Sequence, residues 1–359
     1  MNNSRIDVLR EELKRLNLDA LVVTTKENIF YLSGINFPGF LIVTLYESIF
    51  FTLDRYVKEA FDLLNIYSGI VVRSKEKDLE ILEDLLEENS KVGVEIKSLT
   101  LKELDIFKRI FKTEIIETEN IIEKIREVKE EDEIEKIREI GAKLEHIMEI
   151  AYRMIEPHVS EIDIRERIIE ELERRNLKPE NIRVVSGENT ADKYYKGGFR
   201  RLSKDDIVII DILASLDGYK ASLARTFFLG DPSVKYDEIK EIYEKIYHVE
   251  DTMLKNIRRC SNISELQKEI QNELEKINWN TNYFTATGIG IEEVEEPIFK
   301  IGNYSHIKKN MVIKLEPQIY FPEKFGILIK DTIKVTDANF VFLATYKKTM
   351  LDEIIIKPY

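Results

Sequence analysis

The chain has a single cysteine, Cys260, in 359 residues, which excludes an intramolecular disulfide and any thiolate-bound metal cluster. Histidine is almost as scarce, with only His146, His158, His248 and His306. The first and third fall in predicted helices, His158 follows Pro157 at a helix end, and His306 lies in a loop, so surface or capping roles are expected for all four. No apolar run approaches the ~20 residues of a membrane span. The polar, amphipathic start MNNSRIDVLREELKRL leaves no room for the apolar core of a signal peptide. A cytoplasmic protein with no membrane partner is expected. Positive charge is also in deficit: the formal net charge is −13, which argues against general nucleic-acid binding, because phosphate contacts need clustered Lys and Arg.

The length is sufficient for two domains with separate cores. Charged residues make up 34%, mostly Glu and Lys, a balance that resembles the ion-pair surfaces of thermophile proteins. A run such as Glu127 to Glu133 therefore reads as a solvated helix face rather than a binding tail.

Along the chain, Ile6, Leu9, Leu13 and Leu16 share one face of a helix over 5–16. Ala20 to Thr24 reads as a buried strand, followed by a short helix into Tyr31. Strands recur at 40–45, 48–52 and 69–72, then alternate with helices at 91–96 and 113–116, the pattern of a small α/β domain. From Ile121 to about Ile155 the pattern is helical with few interruptions, long for one globular helix. Residues 121–128 are read as a connector helix and Lys129 onward as the first helix of the second half, ended by Pro157. Ser160 is a candidate N-cap for a helix reaching Arg175. Beyond it hairpins alternate with helices, including 236–258 and 264–277, as in a curved antiparallel sheet backed by helices. The expected division is 1–120, the connector 121–128, and 129–359.

The stretch Val208 to Gly230, VIIDILASLDGYKASLARTFFLG, carries the chemistry. An apolar strand runs into Asp211, turns at Asp217-Gly218-Tyr219 and returns to Arg225-Thr226. It resembles the D-x-G to G-Y-x-x-D-x-T-R-T hairpin of the pita-bread metallopeptidases, the superfamily of Xaa-Pro dipeptidases, Xaa-Pro aminopeptidases, methionine aminopeptidases and creatinase. Asp211, Gly218, Tyr219, Arg225 and Thr226 match, but Ser222 stands at the second aspartate and Ala224 at a threonine. Tyr31-Leu32-Ser33-Gly34, Arg126-Glu127-Val128-Lys129 with Glu133-Ile134, and Val185-Ser186-Gly187-Glu188-Asn189 resemble further family segments. Thr285 to Gly290, ending in Glu295-Glu296-Pro297, is similar to T-G-H-G-I-G-L-x-x-H-E-x-P with both histidines absent: Thr287 replaces the first and Val294 the second. Leu315-Glu316-Pro317 keeps a metal glutamate, whereas Lys330-Asp331-Thr332 puts a lysine at the other.

The resemblance implies an α/β N-terminal domain of the creatinase/prolidase type and an α+β pita-bread C-terminal domain. It also implies five ligands for two divalent ions, at positions 211, 222, 287, 316 and 330. Only Asp211 and Glu316 are retained. Tyr194 stands where the family has a substrate-contacting histidine, and Val294, Tyr219 and Arg225 are taken as the other substrate-pocket positions. Two ions need bridging carboxylates and several further ligands. Serine and threonine hydroxyls are weak neutral ligands, and an ammonium repels a neighbouring cation. Lys330 is expected instead to pair with Asp211 and Glu316, with desolvation limiting the net stabilisation. Strand alternation places Leu328, Lys330, Thr332 and Lys334 on one face and Ile327, Ile329, Ile333 and Val335 on the other.

Other chemistry is weaker. Ser222, Ser186 and Cys260 have no adjacent His-Asp pair to activate them, and Cys260 is expected to be a structural thiol. Thr287-Gly288-Ile289-Gly290 lacks the context of a phosphate loop and reads as a close backbone approach. No catalytic residue, metal or cofactor is assigned. The expected function is a pseudoenzyme that binds a peptide or protein partner. The alternatives are a metal-free enzyme in the manner of creatinase, for which Tyr194 is a poor replacement base, and a Xaa-Pro peptidase with relocated ligands. The resemblance implies a homodimer, or a heterodimer with an active paralogue.

Overall fold

Apolar strands without polar alternation need cover on both faces, and the N-terminal unit, Met1–Arg126, is organised around this requirement. The computed structural model describes residues 3–64, 69–87, 89–111, 113–235, 237–276, 284–347 and 355–356. In the first unit β1 (Ala20–Val23), β2 (Gly39–Thr44), β3 (Ser48–Thr52), β4 (Ile70–Ser74), β5 (Lys91–Glu95) and β6 (Glu114–Thr118) form one mixed sheet, ordered β4-β3-β2-β1-β5-β6. Helices α1 (Asn3–Arg15), α2 (Lys26–Ser33), α3 (Asp54–Leu64), α4 (Ile81–Asp84), α5 (Leu101–Phe111) and α6 (Ile121–Arg126) complete it. Every residue of β1 is buried, and α1 buries Ile6, Leu9 and Leu13. Leu16 lies beyond the last turn and is exposed. Phe40 stacks on Phe51 and meets the edge of Phe107. The Tyr31–Gly34 segment closes α2, with Gly34 at φ 74° donating its N–H to Phe30 O, a left-handed cap that glycine adopts without strain.

The second unit, Glu127–Tyr359, opens with α7 (Glu131–Arg153) and α8 (Glu161–Arg174). The helical pattern expected from 121 to 155 is broken between α6 and α7. Val128 pairs with Met311 as an antiparallel bridge and Lys129 N donates to Asn310 O, so the backbone is extended there, and Glu130 caps α7 in a reciprocal box with Glu133. Ser160 caps α8 as expected, accepting from Asp163 N. Then follow β7 (Lys178–Ser186), β8 (Asp206–Leu216), β9 (Tyr219–Leu229), α9 (Ile239–Asn256), α10 (Ile263–Lys276), β10 (Phe284–Gly288), β11 (Glu295–Ile298), β12 (Val312–Phe321), β13 (Phe325–Leu328), β14 (Asp331–Val335), β15 (Phe340–Ala344) and β16 (Ile355–Ile356). One sheet is ordered β16-β9-β8-β7, the other β11-β10-β12-β14-β15 with β13 on β12.

The two sheets meet at a seam between β9 and the β13–β14 junction. Ala224 and Lys330 exchange backbone hydrogen bonds of 3.1 and 3.0 Å. On either side a threonine hydroxyl serves as a rung: Thr226 Oγ1 donates to Leu328 O and accepts from Leu328 N, and Thr332 Oγ1 donates to Ser222 O and accepts from Ser222 N. The expected strand over 327–335 is therefore two strands interrupted at Ile329–Lys330. Its apolar face divides accordingly: Ile327 and Ile329 join a core with Phe228 and Ile319, and Ile333 and Val335 join one with Met253 and Ile257.

Candidate functional site

Residues paired across an antiparallel ladder share a face. The register Arg183↔Asp211↔Ala224 and Leu213↔Ser222 places Arg183, Asp211 and Ser222 on one face of the β7-β8-β9 sheet. On β12, Lys314, Glu316, Gln318 and Tyr320 alternate onto one face. Lys330, held at the seam, joins the two sets. Its Nζ donates to both oxygens of Asp211, at 2.8 and 3.0 Å, and lies 3.9 Å from Glu316 Oε1. Lys330 and Asp211 are buried. Burial by itself would lower the Lys330 pKa, but Asp211 and Glu316 outweigh it and hold the ammonium above its usual range. Burial pushes the Glu316 carboxyl up, and Lys330, Lys314 and Lys193 more than offset that, leaving it below its usual range.

Lys314 is a second ammonium that motif reading did not single out. It is buried on β12 beside Glu316, with Nζ 3.3 Å from Glu316 Oε2 and 3.3 Å from Glu293 Oε1. Its ladder partner is Thr287, the residue expected from the resemblance to stand at a metal-ligand position. The signal was present in the sequence: Lys314 and Glu316 are two apart on a strand and so share a face. Tyr320 stands on the same face with Arg183 over its ring at 5.8 Å, and burial pushes its phenol up to about 12. A small apolar floor of Val185, Ile209, Ala224 and Leu328 lies beneath.

The five positions implied by the resemblance do not fit two divalent ions. A cation between Asp211 and Glu316 would have to stand where the Lys330 ammonium stands, with the Lys314 ammonium beside it. Ser222 is fully buried and its hydroxyl faces Ile212 O at 3.4 Å. Thr287 supplies one buried hydroxyl. Among the described residues, no group of three His, Cys, Asp or Glu is placed to hold a metal.

The structure separates the four expected substrate-pocket positions. Tyr194 and Val294 are 84% and 51% exposed, so neither lines a closed cavity. Tyr219 and Arg225 are buried but on the opposite face of β9 from Ser222, because odd and even residues of a strand point apart. Tyr219 lies under Lys136 of α7, 4.8 Å from the ring centre. Arg225 donates to Asp331 Oδ1, Lys330 O and Tyr346 O, a structural clamp behind the seam. Ser186 Oγ donates to Glu161 Oε1 rather than to a histidine. His306 is exposed and bonded to Ser261 O, and Cys260 is half-buried against an apolar cluster. Gly288 is a close backbone approach as expected: a Cβ there would lie 2.2 Å from Glu296 O. Next to it a buried pair not expected from sequence, Lys129 Nζ to Glu295 Oε1 at 2.5 Å, secures the loop carrying Val294.

Comparison with known proteins agrees with this architecture. The profile of metallopeptidase family M24 matches residues 135–337, and that of the creatinase/prolidase N-terminal domain matches residues 5–128. The chain is 25% identical to a putative dipeptidase, YkvY, of Bacillus subtilis, covering 97% of this chain and 99% of that one. It is 27% identical to a Xaa-Pro dipeptidase of Pyrococcus furiosus over 93% and 95% of the two chains. In fold it is similar to the Xaa-Pro dipeptidase from Bacillus anthracis, with TM-score 0.84 at 22% identity over 99% and 100% of the chains. The prolidase from Pyrococcus horikoshii gives TM-score 0.84 at 22% identity over 97% and 99%. With an N-terminal domain of the creatinase/prolidase type and a pita-bread domain matched over residues 135–337, the chain belongs to metallopeptidase family M24.

Proposed function

We propose that this chain is a catalytically inactive, metal-independent relative of the Xaa-Pro peptidases, whose role is to bind a peptide or protein partner. The observation that carries the reading is the Lys330 ammonium, 2.8 Å from Asp211 and 3.9 Å from Glu316. It supplies covalently a cation where the family has a metal. Two lysines, 330 and 314, oppose two carboxylates, 211 and 316, so the cluster is close to neutral without any ion. A metal-free hydrolase is disfavoured on the same grounds, because a general base works best with a pKa near the operating pH. Here Glu316 is held low and Lys330 high. We take the chain to act in the cytoplasm as a homodimer, or paired with an active paralogue.

The test is calorimetric titration of chelator-stripped protein with Mn²⁺ or Co²⁺, together with an assay on a dipeptide ending in proline. The expected result is no saturable heat and no turnover. Saturation near two ions per chain, or turnover abolished by chelator, would overturn the reading.

A further inference from the structure

Residues 192–201, DKYYKGGFRR, form the most unusual surface of the second unit. Tyr194 and Phe199 are 84% and 85% exposed and Tyr195 is partly exposed. Isolated exposed aromatics are ordinary. Three within six residues, interleaved with Lys193, Lys196 and Arg201, are not, least of all on a chain of net charge −13.

The exposure does not come from a loosely held loop. The backbone is fixed by two buried charges. Glu161, fully buried at the start of α8, accepts from Ser186 N, Asn189 Nδ2 and Gly198 N. Arg183 donates to Tyr195 O at 2.9 Å and Asp192 O at 2.8 Å. Val184 N donates to Lys196 O, and Asp192 Oδ1 accepts from Tyr194 N and Tyr195 N. Gly197 sits at φ 99° where a Cβ would lie 1.9 Å from Val184 O, so only glycine allows the loop to press on β7. Arg200 is committed to a bidentate pair with Asp206. A rigid scaffold thus presents aromatic side chains to solvent, which is the pre-organisation that lowers the ordering cost of binding.

We infer that the 192–201 loop is a docking surface for an acidic, extended segment of a protein partner, with apolar side chains of that segment covering Tyr194 and Phe199 and its carboxylates meeting Lys193, Lys196 and Arg201. The inference rests on the proposed binding role and adds the partner's chemistry. Charge complementarity selects the occupant: the loop is a local cationic exception on an acidic chain. Lys193 and Lys196, with Arg201 beside them already giving one N–H to His158 O, can meet the few carboxylates of a peptide. They are too few for a nucleic acid, whose affinity grows with the number of phosphates neutralised and whose whole length would be repelled by the surrounding acidic surface. Lys193 is also within electrostatic reach of Glu316, so a bound segment would pass close to the lysine cluster.

The experiment is fluorescence anisotropy on the full chain with a labelled peptide alternating glutamate with leucine and phenylalanine. The same peptide with lysine for glutamate, and a labelled oligo-dT, are the comparison probes. Saturable binding of the acidic peptide alone is expected. It should weaken by about tenfold or more in Y194A/F199A and in K193E/K196E, and again when salt is raised from about 50 to about 300 mM. The altered side chains are exposed, so the variants should melt with the parent. No binding of the acidic peptide, equal binding of the lysine peptide, binding unaffected by the variants, or preferential binding of oligo-dT each overturns the inference. The metal titration on the same preparation separates the two readings. Absent metal heat with absent peptide binding removes only the docking surface, whereas metal binding with peptide turnover removes the binding role itself.

Discussion

Lys330→Met tests the centre of the site directly. Methionine nearly preserves volume, so packing changes little, but Asp211 loses two charge-assisted hydrogen bonds of 2.8 and 3.0 Å. Glu316 loses the larger of its influences on charge, Lys330 at 3.9 Å, while Lys314 remains 3.3 Å away. Removing one partner of a buried pair costs about 3–5 kcal/mol, and in a unit of this size each kcal/mol moves Tm by roughly 2–4 °C. A fall of about 6–20 °C is expected, read by calorimetry and by urea titration followed by circular dichroism. In the parent, the Glu316 carboxyl is depressed, so its contribution is present above the unfolded pKa of about 4.3 and lost as pH falls through the folded value. Lys330 is raised, so its contribution is present below about 10.4 and lost as pH rises through the folded value. In Lys330→Met the Glu316 carboxyl loses its main counter-charge and its pKa rises, a penalty present at pH 7 that shrinks as pH falls towards 5. The gap between variant and parent should therefore narrow with acid. Asp211→Asn combined with Lys330→Met leaves one buried charge fewer and should recover about half of the loss. A cost below about 1 kcal/mol, typical of an exposed pair, with no pH dependence, would refute the reasoning.

Rebuilding the metal positions with S222D, T287H and K330E should leave Tm insensitive to Mn²⁺ while Lys314 remains, because its ammonium lies 3.3 Å from Glu316. Adding K314T should make Tm rise with the metal, and thermal shift with and without chelator separates the two cases. Arg225→Lys keeps the charge but not the fork that reaches Asp331, Lys330 O and Tyr346 O; it should destabilise by about 2 kcal/mol or more in urea titration. Gly141→Ala would ordinarily favour a helix by about 1 kcal/mol. At this site, however, the added Cβ would lie 1.8 Å from Leu343 O, so α7 must lift from β15 and a net loss in Tm is expected.

What could be read without coordinates followed the physics of alternation. The pairing of Lys330 with Asp211 was legible because a lysine inside a run of apolar residues, at a position where relatives carry a ligand, has to find carboxylates. Strand parity also contained two results that motif matching obscured. Position 222 on the pocket face puts Tyr219 and Arg225 on the other face, and Lys314 shares its face with Glu316. Matching residues to a pattern says which positions persist, not which way they point. The break at Val128–Lys129 was hidden for another reason: those residues pair with Asn310 and Met311, nearly two hundred positions later, and local helical periodicity carries no trace of a partner that distant. The small α/β unit, by contrast, was read almost strand for strand, because most of its strands, β1 to β3 above all, are short apolar runs bounded by polar turns.

The tethering of Lys330 changes how the domain responds to its surroundings. A protein that folds around a dissociable ion gains stability that rises with the logarithm of free ion concentration, so its population of folded molecules follows the supply. A cation carried on a side chain of the protein itself has no dissociation constant and no competitor. On the proposed metal-independent reading, starvation for manganese or cobalt, or treatment with a chelator, would leave the site as it was, and a partner-binding surface would be the same in metal-poor and metal-rich conditions.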